Sequence, residues 1–216
     1  MKKENISIYL LAGIILITVF NQFQILSLNN SLKEGGLTVT GLATGIQDVN
    51  ALDVVPKGVP EIYGKELGIK YDDVNINDPQ KADAAIKKLA LFDNSIKLEG
   101  DKLDRYIKIT NSISCEYCCG AQSITFPDGQ AACGCAHSYA MRGLAKYLLT
   151  KHSDMADDQI LNELGKWKTL FFPDSINAKA QILKDEGIEL DYINLASNKY
   201  RGAEQGNAQG NMVGGC

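Results

Sequence analysis

Five of the chain's six cysteines lie together between Cys115 and Cys135, and a histidine follows two positions later. The cluster opens with the letters CEYCCG and closes with CGCAH. Thiolates bind soft and borderline metal ions and also exchange disulfides, so the cluster predicts either metal binding or redox chemistry. The candidate metal ligands are Cys115, Cys118, Cys119, Cys133, Cys135 and His137.

The spacing within the cluster favours a metal site. A C-x2-C pair, fourteen further residues and a C-x-C pair come close to the spacing of a zinc ribbon, with the second pair one residue short. We therefore expect four thiolates in a tetrahedral set, with Cys119 and His137 as substitutes or outer partners. The favoured ligands are Cys115, Cys118, Cys133 and Cys135. Zinc is the expected metal ion, and Cu(I) or an iron–sulfur cluster also suits such a set.

Two other functions stay open at the level of the sequence. A thiol–disulfide oxidoreductase would use Cys115 with Cys118, or Cys118 with Cys119, and would need an accessible sulfur with a lowered pKa. A surface or scaffold protein would use the cysteines as structural disulfides, which are common outside the cytoplasm. Because the cluster has an odd number of cysteines, disulfides within it leave one thiol unpaired unless Cys216 takes part. No motif in the sequence decides between an enzyme and a binding protein.

The segment between the two cysteine turns is expected to form a tight β-hairpin. It contains Pro127-Asp128-Gly129, in which proline presets the first turn dihedral and glycine accepts a positive one. Closing this hairpin would bring the C-x2-C and C-x-C turns together at its open end. Cys135 and His137 then begin a predicted helix, where free amides and the helix dipole favour a thiolate.

Helical periodicity predicts four helices in the central part of the chain. The first opens at Asp78-Pro79, where an acidic cap precedes a proline at the first helical position. The others are expected over Ala136–Lys151, after the Ser153-Asp154 cap, and from Pro173 to Gly187.

Alternating polar and apolar residues predict strands elsewhere. Residues 96–98 and 103–109 alternate on either side of Glu99-Gly100-Asp101-Lys102, which indicates a second hairpin, and residues 188–192 alternate like an edge strand. The expected fold class is therefore α+β, with a small β-hairpin Cys-rich knuckle site packed on a helical bundle and an N-terminal transmembrane helix.

The transmembrane prediction rests on the apolar run of residues 6–20, which follows Lys2 and Lys3. Extended to Leu28 the run has about 23 residues, enough to span a hydrocarbon core of about 30 Å. No small-x-small cleavage site follows, so we expect a retained signal anchor over residues 1–30, with a cleaved signal peptide and a buried core helix as alternatives. The two lysines place the N-terminus in the cytoplasm and the remaining chain outside it.

Composition divides the rest of the chain into three parts. Residues 31–58 are predicted to be a linker, residues 59–196 a Cys-rich α+β domain, and residues 197–216 a disordered tail rich in glycine, asparagine and glutamine. A net charge of −4 supplies no basic field for a phosphate backbone, so no nucleic acid partner is expected. The expected partner is the membrane, through the N-terminal helix, and no feature identifies a protein partner.

The stretch from Cys115 to Pro173 resembles known exported proteins. Its cysteine turn, the helix SYAMRGLAKYLL, the capped helix DDQILNELGKW and the exit KTLFFP occur in an order similar to that of small exported proteins named for a PCYCGC motif. It is more distantly similar to the membrane-anchored thiol proteins of cytochrome c maturation, in which a C-x-x-C loop caps a helical hairpin. Residues 58–202 also resemble uncharacterised signal-anchored proteins of archaeal type.

The sequence departs from these families at its cysteines. Cys133-Gly134-Cys135 matches only the end of the PCYCGC motif, Cys118-Cys119-Gly120 has no counterpart in the maturation proteins, and the haem-attachment motif C-x-x-C-H does not occur. The resemblance implies exported cysteine chemistry without a particular substrate.

Overall fold

The computed structural model describes residues 53–205 and 212–214, and the predicted anchor over residues 1–30 lies outside them, as does most of the predicted linker. No helix in the described part is long and apolar enough to cross a membrane. The helices of this part are α1 (Gly64–Leu67), α2 (Pro79–Ser95), α3 (Gly100–Asn111), α4 (Ala136–Lys151), α5 (Asp157–Phe171), α6 (Pro173–Asp185) and α7 (Tyr192–Ala196). Short 3-10 helices cover Tyr71–Asp73 and Asn198–Tyr200.

The predicted α+β class is wrong, because the described residues are mainly helical and form no sheet. Their only antiparallel pairings are two isolated bridges, Ile113 with Ser197 and Thr125 with Ala131. The predicted knuckle hairpin is therefore a turn closed by one bridge rather than a pair of strands. The predicted edge strand at residues 188–192 is also wrong: it forms no strand, and its last residue begins α7.

Helix α3 occupies the segment predicted as the second hairpin. Its apolar residues recur at helical as well as alternating positions, and a short run of this kind fits both periods. As a helix it buries Tyr106 and Ile109 in the core. A strand would have placed Arg105 on the same face as Ile109, whereas on the helix the Arg105 Nε reaches Asp157 at 2.7 Å near the surface. Burying the Arg105 charge would be costly, so this segment forms a helix rather than a strand.

The predicted helices α2 and α4 are confirmed. Helix α2 begins at Pro79, and the carboxylate of the capping Asp78 accepts a hydrogen bond from the Lys81 amide at 3.1 Å. Helix α4 covers the predicted range, and most of its residues are buried. The two helices cross with their backbones in close approach, because a Cβ built on Gly143 would lie 2.0 Å from the Leu89 carbonyl oxygen. Glycine is thus required for this crossing.

Residues within the predicted tail contact the core of the described domain. Asn198 donates its backbone N–H to the Ser112 carbonyl at 2.8 Å, and Glu204 is almost completely buried. Val213 is buried as well, and its N–H donates to the Phe171 carbonyl at 2.9 Å. These contacts bring the C-terminal segments to the cysteine cluster.

Candidate metal centre

The first cysteine turn lies between α3 and the Pro127 turn. Its tight geometry comes from the Cys118 and Cys119 amides, which donate to the Cys115 carbonyl at 3.2 and 3.4 Å. The second turn ends at Cys135, which caps α4 and accepts a hydrogen bond from the Ser138 amide on its sulfur at 3.4 Å. Both turns direct sulfur atoms toward the start of α4.

The Pro127-Asp128-Gly129 turn forms as the sequence predicted. The Gly129 amide donates to the Phe126 carbonyl at 2.9 Å, and glycine adopts a positive φ of 83°. The Asp128 carboxylate accepts from the Gln130 amide at 2.9 Å, which completes the turn. The two cysteine turns meet at its open end, although no strands lead to them.

Four side chains at this meeting point can hold a metal ion. Their ligand atoms all lie within 4.8 Å of one another. The group, which we call the Cys3His group, consists of Cys115, Cys118, Cys135 and His137. The sulfurs of Cys115 and Cys135 are 3.4 Å apart, close to the roughly 3.8 Å that separates two sulfurs bound to one tetrahedral zinc ion at about 2.3 Å.

His137 is oriented for coordination through Nδ1. Its ring is fully buried, with centroids 4.5 Å from Phe171 and 5.1 Å from Phe172. The Nε2 atom lies 2.8 Å from the Val213 carbonyl, which can only accept, so Nε2 carries the proton. In the neutral ring Nδ1 therefore presents a lone pair, and it has no hydrogen-bond partner among the described residues. Metal-binding histidines are typically oriented by such a bond from the opposite ring nitrogen.

Cys135 has the character of a thiolate. A hydrogen bond from the Cys115 thiol lowers the pKa of Cys135, and the hydrogen bond from the Ser138 amide adds to this effect against the cost of burial. The pKa of Cys115 is raised by the same hydrogen bond and by burial. The two sulfurs therefore share one proton, and a cation placed between them would replace it.

Cys118 is partly exposed, whereas Cys115 and His137 are buried. It is disulfide-bonded, so its sulfur becomes a ligand once that bond is reduced. Cys115, Cys119, Cys133 and Cys135 carry free thiols. Reduction is therefore required before all four members of the group can coordinate.

Cys119 and Cys133 lie beside the Cys3His group and form a pair of their own. Their sulfurs are 2.6 Å apart, and burial together with the hydrogen bond to Cys119 raises the pKa of Cys133 to about 11. The structure thus places His137, rather than the expected Cys133, in the four-membered group. Cys119, also predicted as a candidate ligand, lies outside the group.

A buried network of charges surrounds Glu116, the residue after the first cysteine. Lys168 and Lys179 are fully buried, and their ammonium groups reach Glu116 Oε1 at 3.1 and 2.9 Å. Lys179 also lies 3.3 Å from Glu204, and Arg201 lies 3.6 Å from the second Glu116 oxygen. Three cations against two carboxylates leave this network one positive charge.

The pKa shifts of Glu116 and Lys168 agree with a net charge of one positive unit in the network. Burial opposes the charge of Glu116, but the charges of Lys168 and Lys179 lower its pKa overall. Burial lowers the pKa of Lys168 to about 8, while the charge of Glu116 favours its protonated form. Lys168 therefore remains mainly charged at neutral pH, next to the cysteine turn.

Arg142 of α4 holds the second turn in place. Its side chain is 1% exposed, and it donates to the carbonyls of Cys133 at 2.8 Å and Ile124 at 3.3 Å. It is paired with Asp93 of α2 at 2.8 Å. The arginine replaces missing strand pairings by satisfying the turn's carbonyls.

Five charged residues around the site were not predicted from the sequence, although one of them has a recognisable signal. These residues are Glu116, Arg142, Lys168, Lys179 and Arg201. Lys168 follows Leu161 and Leu164 by seven and four positions, which places it on the buried face of α5. A lysine at such a position indicates a buried partner of opposite charge.

Comparisons with models of protein families, with curated proteins and with solved structures found no match to this chain. The functional assignment therefore rests on the geometry of the site itself.

Proposed function

We propose that this protein is a membrane-anchored, extracytoplasmic metal-binding protein whose Cys3His group holds a divalent ion, with zinc as the best fit. The observation that carries the proposal is the orientation of His137. Its buried Nδ1 lone pair lacks any hydrogen-bond partner in the described part of the chain. One ligand atom of His137 and the three cysteine sulfurs all lie within 4.8 Å of one another. An unpaired buried acceptor is costly, and a bound cation would satisfy it.

Charge balance supports a divalent ion. Three thiolates and one divalent cation carry one net negative charge, which matches the single positive charge of the network around Glu116. A Cu(I) ion would leave an additional negative charge in a buried environment, at a desolvation cost. Three thiolates and one imidazole are also a common ligand set of structural zinc sites.

The burial of the group favours a structural role for the metal. Once Cys118 is reduced, four protein side chains can fill all the positions of a tetrahedral ion, and Cys115, Cys135 and His137 are all buried. Catalytic zinc sites keep one position open for water or substrate, whereas structural sites are closed. The bound ion would link the first cysteine turn to α4 and contribute directly to the folding free energy.

The membrane location rests on the sequence of the N-terminus. The apolar run of residues 6–20 after Lys2 and Lys3 supports a single-pass anchor with the metal-binding domain outside the cytoplasm. We expect the full chain to remain in the membrane fraction after a carbonate wash, and a chain lacking residues 1–30 to be released. Recovery of an N-terminally trimmed, soluble product from native cells would contradict the anchor.

Metal binding by single variants tests the proposed site. After reduction and removal of the reductant, the protein is titrated with Co2+ and then with Zn2+, and the tetrahedral thiolate absorption of Co2+ is recorded. Replacing Cys115, Cys118 or Cys135 with serine, or His137 with alanine, should weaken Zn2+ binding by at least about a hundredfold, since even outer-shell changes cost tenfold to a hundredfold. A chelator should lower the melting temperature of the unmodified protein.

Two matched controls separate the ligands from their neighbours. Cys133→Ser and His152→Ala remove the same side-chain types outside the Cys3His group, because His152 interacts with Glu66 at the far end of α4. Both should retain the stoichiometry and affinity of the unmodified protein. Equal losses for Cys133→Ser and Cys135→Ser would contradict the proposed ligand set, and absence of Co2+ absorption from the reduced protein would reject metal binding.

A further inference from the structure

We propose that Cys119 and Cys133 form a reversible disulfide pair that is distinct from the metal ligands and leaves the metal in place when it closes. Their sulfurs are 2.6 Å apart. That separation is shorter than the roughly 3.8 Å expected for two sulfurs on one tetrahedral zinc ion and approaches the bonded distance of about 2.05 Å. The pair is thus placed to bond to each other rather than to share a metal.

The two thiols differ in access to solvent. Cys119 is exposed, whereas Cys133 is 6% exposed and has its carbonyl held by Arg142. A disulfide in solution can therefore reach the Cys119 sulfur directly, while Cys133 can be reached through Cys119. This arrangement of one accessible and one buried thiol suits a two-step exchange.

The reaction requires a low-molecular-weight disulfide as the oxidant. The Cys119 thiolate attacks one sulfur of this disulfide, forms a mixed disulfide and releases one thiol. The Cys133 sulfur then attacks the Cys119 sulfur, which closes the protein disulfide and releases the second thiol. Two protein thiols lose two electrons and two protons, and the oxidant gains both.

The pairing fits the odd number of cysteines in the cluster once the disulfide of Cys118 is reduced. Two of the five then form the redox pair, and the remaining three can combine with His137 as four ligands. Cys119 follows the ligand Cys118 directly, and Cys133 precedes the ligand Cys135 by two positions. A bond between them therefore joins the two ligand-bearing turns without consuming a ligand. The proposed pairing of Cys119 with Cys133 does not depend on the proposed function. Only the expectation that the metal stays bound when the pair closes rests on the proposed function.

The test uses the full chain with Cys216→Ser, so that any bond formed lies within the cluster. The reduced protein is loaded with Zn2+, treated with oxidised glutathione, and analysed for thiols and zinc. Cleavage before Asp128 separates the peptide with Cys115, Cys118 and Cys119 from the peptide with Cys133 and Cys135. We expect the loss of two thiols, one cross-link between these peptides, and full retention of zinc.

Single variants assign the cross-link. Cys133→Ser should stop at a mixed disulfide of Cys119 with glutathione, whereas Cys119→Ser should leave Cys133 unmodified. A cross-link that persists in either variant would overturn the pair. Release of zinc on oxidation, with more than two thiols lost, would contradict the claim that the Cys119–Cys133 pair is distinct from the metal ligands. If the reduced protein binds no zinc but still forms the Cys119–Cys133 bond, the proposed function fails and the pairing stands.

Discussion

Replacing Glu116 with glutamine is expected to lower the free energy of unfolding by about 3–5 kcal/mol, the usual cost of removing one partner from a buried ion pair. The substitution keeps the size of the side chain but removes the charge that Lys168 and Lys179 share. Both ammonium groups are fully buried and lie within 3.1 Å of the same carboxylate oxygen. Urea denaturation of the reduced, metal-free protein measures this loss.

A double variant distinguishes lost charge pairing from damage to the turn. Combining Glu116→Gln with Lys168→Met removes one of the unpaired cations, and buried pairs can often be replaced by apolar groups at little cost. We therefore expect the double variant to be more stable than Glu116→Gln alone. Asp53→Asn, at an exposed ion pair with Lys57, should leave the denaturation midpoint unchanged. Equal stability of Glu116→Gln and the unmodified protein would show that the network does not hold the cysteine turn.

Replacing Gly143 with alanine is expected to destabilise the domain by about 3 kcal/mol or more, at or above the upper end of the cost of overpacking. The new Cβ would lie 2.0 Å from the Leu89 carbonyl oxygen, which belongs to a helix backbone and cannot rotate away. Alanine's better helix propensity returns only about 1 kcal/mol. Thermal unfolding followed by circular dichroism measures the net effect.

The same change should also weaken the metal centre. Helix α4 carries Cys135 and His137 at its first turn, so displacement of α4 from α2 would shift two of the four candidate ligands. Gly134→Ala is the matched control, because a Cβ there meets no atom within 4 Å and the backbone φ is not positive. A stable Gly143→Ala protein with unchanged Zn2+ affinity would refute the close crossing of α2 and α4.

Local features were predictable from the sequence because neighbouring residues determine them. Asp78 and Pro79 begin α2 since a cap and a proline act within one helical turn. Gly129 takes the positive φ of its turn for an equally local reason. The cysteine cluster was recognisable as a site because its members are close in sequence as well as in space.

Helix α3 shows where local patterns are insufficient. The run of residues 103–109 fits a strand and a helix about equally well, and no nearby residue decides between them. Packing decides, because the helix buries Tyr106 and Ile109 while leaving Arg105 free to reach Asp157. That partner is 52 positions away in the chain.

The sequence by itself determined that this chain concentrates thiols and one histidine around a turn at the start of a helix. Only the tertiary structure decided which of them converge, because the deciding contacts come from distant segments. The Val213 carbonyl keeps the proton of His137 on Nε2, although the two residues are 76 positions apart. Lys179 contacts Glu116 although they are 63 positions apart. Such contacts depend on how the helices pack, and no spacing of cysteines encodes them.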